Sequence, residues 1–154
     1  MIILSIDMGA SSSTFFLHKD NKSKKIYEFN NYSIFSDNSH IWDIDKIINE
    51  IYFAINKVLD KHLKIDYLVT CSWGLDYILF DKYDKIIKPC YGYRDNRSKS
   101  GQEYIMSKNK IKDIFKINGT QNLSYNTIYQ LLSEPKEKLD KTKLILNISD
   151  AINY

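Results

Sequence analysis

The sequence predicts an α/β domain built on a mixed β-sheet. Two features carry that expectation. Strand-like runs open the chain in quick succession, joined by short turns, as an antiparallel start requires. One long amphipathic helix then precedes a further apolar run, and shorter helical segments follow before a last strand.

The elements follow in order. Residues 2–6 are an apolar run that ends at Asp7, and Gly9 with Ser11, Ser12 and Ser13 supplies turn chemistry after it. Thr14-Phe-Phe-Leu-His18 reads as a second strand, Lys19 to Lys22 as a hairpin turn, and Lys25 to Tyr32 as a third strand rich in β-forming residues. A helix is expected from about Ile44 to His62. Ile44, Ile47, Ile48, Ile51, Ile55, Val58 and Leu59 share one face, Asp43 caps the start, and Asp45 suits the helix dipole. Ile65 to Cys71 reads as a buried strand, and Tyr77 to Phe80 with Ile86-Ile87 as a hairpin across Asp81–Asp84. From Ser98 the pattern is helical, with a capping box at Ser100–Glu103. A short helix holding Ile111, Ile114 and Phe115 stops at Gly119, another runs from Asn126 to Leu132 with Pro135 beyond it, and Leu144 to Ile148 is a last buried strand.

Composition narrows the class. The 154 residues suffice for one domain with a hydrophobic core, and 44% hydrophobic content argues against disorder. No apolar run reaches the ~18 residues that span a bilayer. The N-terminus reads as a first strand and not as a signal peptide, so a cytoplasmic protein with no membrane partner is expected. The 22 basic and 19 acidic residues are interspersed, leaving a net charge of +3. Lys24-Lys25 is therefore read as solvated surface, and no nucleic-acid partner is expected. Cys71 and Cys90 lack metal-ligand spacing and read as reduced thiols. His18, His40 and His62 pair with no acid at ligand spacing and are read as surface or turn residues.

Three segments can carry chemistry. Asp7 stands at the end of the first strand, where a carboxylate can hold Mg²⁺ directly or through water. Gly9 lets the backbone turn, and the amides and hydroxyls of Ala10, Ser11, Ser12, Ser13 and Thr14 can face phosphate oxygens. The same residues also fit a serine-rich hairpin turn with no ligand. Cys71-Ser-Trp-Gly-Leu-Asp76 again follows a strand, the usual place for ligands in α/β proteins. There Trp73 offers a flat face, Gly74 a close backbone approach and Asp76 an acceptor for hydroxyls; a core tryptophan beside a turn is the alternative. Tyr91-Gly-Tyr-Arg-Asp-Asn-Arg97 can grip a polyol through Arg94 or form a local ion-pair network at a helix start. Trp42-Asp-Ile-Asp45 reads as a helix cap beside a packed indole.

Five segments together resemble one family. Asp7-x-Gly-Ala-Ser-Ser, Trp42-Asp-Ile-Asp45, Trp73-Gly-Leu-Asp-Tyr77, Tyr93-Arg-Asp-x-Arg97 and Asn126-Thr-Ile-Tyr-Gln-Leu131 stand in the order and approximate spacing of the FGGY carbohydrate kinases. The Trp-Gly-x-Asp and Tyr-Arg-Asp signatures are similar to its rhamnulokinase branch. The resemblance implies a ribonuclease-H-like domain of the actin and hexokinase ATPase type. Residues 1–154 would be a partial N-terminal domain, and a C-terminal kinase domain would be missing. It implies transfer of the γ-phosphoryl of ATP to the 1-hydroxyl of L-rhamnulose or a related ketose. Asp7 would serve Mg²⁺ and phosphate, residues 10–14 the ATP phosphates, and the Gly74 backbone the sugar. The general-base aspartate would lie outside these residues, leaving this chain inactive alone and its domain interface free to self-associate. The family's loop runs Gly-Ala-Ser-Ser-Gly-Arg, whereas this chain has Ser13-Thr14 at the last two places, which removes a charge near the phosphates. A non-catalytic remnant that binds sugar or a protein partner is the competing reading. A ribonuclease-H-type nuclease is a third, but it needs clustered carboxylates for two metals, and only Asp7 and Asp76 offer themselves.

Overall fold

Alternation along the first strand decides which residues it presents to solvent. In β1 (Ile2–Met8), Leu4, Ile6 and Met8 are buried, while Asp7 between them is exposed. β1 pairs antiparallel with β2 (Ser12–Lys19), and β2 pairs antiparallel with β3 (Lys22–Asn30). The turn between β2 and β3 is the expected hairpin. Asp20 and Asn21 both hold positive φ, 51° and 59°, as a two-residue type I′ turn requires. The computed structural model describes residues 1–36, 39–61 and 64–154, so the expected helix end at His62 lies outside the described residues.

The remaining elements are β4 (Ser33–Ser36), β5 (Ser39–Trp42), α1 (Ile44–Leu59), β6 (Tyr67–Ser72), β7 (Tyr77–Phe80), β8 (Cys90–Tyr91), α2 (Ser98–Ser107), α3 (Ile111–Asn118), α4 (Thr127–Leu132), α5 (Lys136–Asp140), β9 (Leu144–Asn147) and α6 (Ile148–Asn153). They form two compact units. The first holds Met1–Ser33, Asp43–Gly74 and Leu146–Tyr154; the second holds Ile34–Trp42 and Leu75–Ile145.

The first unit is a four-stranded sheet in the order β3-β2-β1-β6, with β6 parallel to β1. It is thus a mixed sheet, as expected. α1 buries Ile44, Ile47, Ile51, Ala54 and Val58 and meets β3 through the Tyr27–Phe53 ring pair, whose centroids are 5.2 Å apart. The Asp43 carboxylate accepts the Lys46 amide at 3.2 Å and caps the helix as expected. Asp43→Ala is expected to lower stability by about 1 kcal/mol in urea unfolding. Leu59, placed on the apolar face by periodicity, is 45% exposed instead.

The run Ile65–Cys71 is corrected by the structure. It forms β6, but Tyr67 and Val69 are 60% and 52% exposed. An apolar run predicts burial, yet among the described residues β6 stands at the edge of the sheet beside β1. The run Leu144–Ile148 is corrected too. β9 alternates half-buried and exposed residues, and Ile148 belongs to α6, where it is fully buried.

The second unit combines a three-stranded sheet, β4-β5-β8, with β7, the start of its partner strand β9 and the helices α2 to α5, while α6 belongs to the first unit. The strands β4, β5 and β8 and the helices α5 and α6 were not legible as separate elements. Gly119 ends α3 with φ of 64°, as its position implied. The capping box does not form. α2 already starts at Ser98, so Ser100 stands inside it, with its hydroxyl donating to the Arg97 carbonyl at 2.7 Å. No side chain caps α2; Asp95, before the helix, accepts the amide of the N-cap residue Arg97 at 2.8 Å.

Candidate functional site

In the first unit, the loop between β1 and β2 is tighter than the serine run suggested. β2 begins at Ser12, so only Gly9, Ala10 and Ser11 turn. A Cβ on Gly9 would stand 3.0 Å from the Ser12 carbonyl oxygen, which is why a glycine suits this turn. Asn31, a residue that sequence reasoning passed over, staples the loop. Its amide donates to the Gly9 carbonyl, its side-chain oxygen accepts the Ser13 hydroxyl at 2.7 Å, and its backbone donates to the Ser11 carbonyl at 2.8 Å. Ser13 is fully buried, so its hydroxyl serves the hairpin and does not face solvent. Ser11 is exposed, and Ala10 and Ser12 are half-buried.

The open face of the sheet carries polar groups beside the exposed Tyr67 and Val69. Asp7 lies opposite Thr14 on one side and Cys71 on the other, and the Cys71 thiol donates to the Asp7 carboxylate at 3.5 Å. Burial, and after it the neighbouring Asp7 carboxylate, pushes the Cys71 thiol up from its ordinary pKa. Thr14 donates to Glu28 at 3.3 Å, so an acid sits beside the place where the family's loop carries arginine. His18 shares hydrogen bonds with Ser5 and Ser23, both at 2.7 Å. Among the described residues no group of three or more metal-ligating side chains occurs. An exposed single carboxylate nevertheless fits Mg²⁺, which keeps most of its waters and takes its remaining ligands from phosphate. At the end of the parallel neighbour, the Trp73 amide donates to the Met8 carbonyl at 3.0 Å. Gly74 is exposed, and a Cβ there would meet nothing within 4 Å.

In the second unit, Asp76 is fully buried and does not face solvent. Its carboxylate accepts the Trp42 indole N–H at 2.8 Å and the Gln130 amide at 3.3 Å. His40 is buried as well, which corrects its reading as a surface or turn residue. Its ring stacks on Phe35 at 4.4 Å and meets Trp42 edge-on at 4.7 Å, and burial holds its pKa below the ordinary value. Arg94 is exposed and lies against Tyr93, donating to the phenol at 3.0 Å. The other charges of that segment form the ion-pair network. Buried Asp95 accepts the His40 amide at 2.8 Å, and Arg97 reaches Glu134 at 3.1 Å. Cys71 is exposed and Cys90 buried, and the two form no disulfide with each other. No described helix is long and apolar enough to cross a membrane.

The mixed sheet, with a carboxylate at the end of its first strand and a tight loop beyond it, defines the ribonuclease-H-like α/β class of the actin and hexokinase type. Solved kinases share the fold. A gluconate kinase from Lactobacillus acidophilus superposes with a TM-score of 0.86 at 18% identity, over 98% of this chain and 32% of that one. A glycerol kinase from Plasmodium falciparum, solved with ADP, gives 0.77 at 21% identity, over 99% and 32%. The N-terminal domain of the FGGY family of carbohydrate kinases matches residues 2–154, and the chain belongs to that family. Among curated relatives, a rhamnulokinase from Ligilactobacillus salivarius is 34% identical over 98% of this chain, and one from Pectobacterium atrosepticum is 30% identical over 99%. The chain spans about a third of the length of these relatives, 32% in both cases.

Proposed function

We propose that this chain is the N-terminal, nucleotide- and sugar-facing part of an ATP-dependent kinase that phosphorylates L-rhamnulose, or a related ketose, at the 1-hydroxyl. The observation that carries the proposal is the exposed Asp7 carboxylate beside the stapled Gly9–Ser11 turn, on a sheet whose family acts on carbohydrates. In the transfer, the ketose hydroxyl oxygen bonds to the γ-phosphorus, the bond from γ-phosphorus to the bridging oxygen breaks, and ADP departs. The hydroxyl proton goes to a base that the resemblance places outside these residues, so the chain alone is expected to bind and not to turn over. Mg²⁺, when bound, neutralises charge on the phosphate oxygens. Asp7 would hold it, and the backbone and hydroxyls of residues 9–12 and Thr14 would orient the phosphates. Ser13 would act through the hairpin it braces. Trp73 and the Gly74 backbone of the first unit would face the sugar; in the second unit, Arg94 would offer its exposed guanidinium to a hydroxyl and Asp76 would support the segment it sits in.

Isothermal titration of the chain with ATP and Mg²⁺ tests the nucleotide half. Binding should depend on Mg²⁺ and weaken at least about tenfold in Asp7→Asn, the loss of one charge-assisted contact. Mg²⁺-independent binding, or binding that Asp7→Asn leaves untouched, would remove Asp7 from the site. Gly74→Ala tests the sugar half. It should leave the unfolding midpoint unchanged, because its Cβ meets no protein atom within 4 Å, yet weaken ketose binding. A second reading, a non-catalytic sugar-binding or interaction module, is favoured by one observation: Thr14 presents a hydroxyl to Glu28 where the family's loop carries a cation. If Ser13→Gly with Thr14→Arg gains no affinity for ATP, that second reading is preferred.

A further inference from the structure

The segment from Asn126 to Leu131 resembles the family, yet the proposed chemistry gives it no task. Its structure suggests one. Leu75 holds φ of 81°, a left-handed conformation that costs a non-glycine residue free energy and persists only where neighbours impose it. The Leu75 carbonyl accepts the Thr127 hydroxyl at 2.7 Å and the Gln130 side-chain amide at 3.1 Å. The same Gln130 amide donates to the Tyr125 carbonyl at 2.9 Å and to the Asp76 carboxylate at 3.3 Å. Asp76 in turn holds the Trp42 indole at 2.8 Å, and Gln130 is 1% exposed. Thus two side chains one helical turn apart on α4 converge on one carbonyl, and a buried carboxylate fixes the next residue.

We infer that Thr127 and Gln130 are positioning residues. They hold Leu75 at positive φ and so set the direction of the peptide plane that Leu75 shares with Gly74, the backbone offered to the ketose. φ is the rotation about the Leu75 N–Cα bond, so releasing it turns the Gly74 carbonyl and the Leu75 N–H together. The link to a ketose rests on the function proposed above; the hold on Leu75 does not.

The test uses the full 154-residue chain. The first readout is the Leu75 intraresidue amide–Hα NOE, which is strong at positive φ and weak at negative φ. The second is L-rhamnulose affinity, followed by amide shifts in the same spectra. Thr127→Val should weaken the NOE and reduce affinity about fivefold, as one lost hydrogen bond implies. Thr127→Ser, which keeps the hydroxyl, should restore both. In a Leu75→Gly background, where left-handed φ carries no steric cost, Thr127→Val should lose less. Gln130→Ala should follow Thr127→Val, and Thr127→Val serves by itself if the glutamine variant does not fold. A strong NOE and unchanged affinity in Thr127→Val would overturn the inference. If the NOE falls but the wild-type chain binds no L-rhamnulose or D-xylulose, the ketose assignment is overturned while the hold on Leu75 is upheld.

Discussion

Gly101→Ala is expected to destabilise the second unit by about 3 kcal/mol, at the upper end of what overpacking costs. A Cβ at Gly101 would stand 2.3 Å from the Tyr129 carbonyl oxygen, 2.9 Å from the Ser133 hydroxyl and 3.1 Å from the Leu132 Cβ. The nearest obstacle is backbone within α4, so no rotamer change relieves it. The two helices must separate, and separation breaks what the close approach permits. The Gly101 amide donates to the Ser133 hydroxyl at 3.0 Å, and Ser100 and Ser133 share a hydrogen bond at 3.1 Å. Tyr129, whose carbonyl would be struck, is 1% exposed and donates to Asn122 at 2.7 Å. Urea unfolding measures the effect, and Gly74→Ala is the matched control, since its Cβ enters open space. Equal midpoints for the two variants would show that α2 and α4 do not meet as described. Because Thr127 and Gln130 lie on the same helix, Gly101→Ala should also loosen the hold on Leu75.

Glu134→Ala should cost as much or more, about 3–5 kcal/mol, because it leaves the buried Lys138 without its anion and removes one of the two acids beside Arg97. The Glu134 side chain is 1% exposed, accepts hydrogen bonds from Arg97 and Tyr77 and pairs with the Lys138 cation. Arg97 lies 3.1 Å away, the Tyr77 hydroxyl 2.8 Å and Lys138 3.1 Å. Lys138 also donates to the Pro89 carbonyl at 2.6 Å, and Arg97 to the Gln130 carbonyl at 2.9 Å. Both cations lie over the Tyr91 ring, at 4.0 Å for Arg97 and 4.9 Å for Lys138. With Glu134 gone, Arg97 keeps Asp95 at 3.8 Å, but Lys138 keeps no acid in this cluster. The order of effects is the sharper expectation. Lys138→Met replaces a buried charge by an apolar chain of similar length and leaves Glu134 with Arg97 and Tyr77, so it should cost clearly less. A Lys138→Met variant as unstable as Glu134→Ala would contradict this account. Burial pushes the Tyr77 phenol well above its ordinary pKa, so it remains a hydrogen-bond donor to Glu134 at neutral pH.

Local physics was legible in the residues. An apolar run ending at Asp7 gave β1, the Asp20-Asn21 turn announced the β2-β3 hairpin, and the spacing from Ile44 to Val58 with Asp43 before it gave α1 and its cap. Each depends on residues within a few positions of one another. The site was legible as segments, because Asp7, Gly9, Trp73 and Gly74 sit at strand ends that short-range patterns reveal. Their exposure was not. Ser13 and Asp76 carry side chains suited to ligands, and both are fully buried.

What the amino-acid sequence determined by itself was the α/β class, the order of the opening strands, the long helix and the family. All of these rest on periodicity, turn chemistry and motif order. Only the tertiary structure decided which polar groups face ligand and which brace the fold. That choice depends on partners far apart along the chain. Trp42 and Asp76 are 34 residues apart, Leu75 and Gln130 are 55 apart, and Tyr77 and Glu134 are 57 apart. A carboxylate in the sequence looks the same whether it will meet Mg²⁺ or an indole N–H. Folding decides between them, because a polar group taken out of water must find its hydrogen bonds inside the protein.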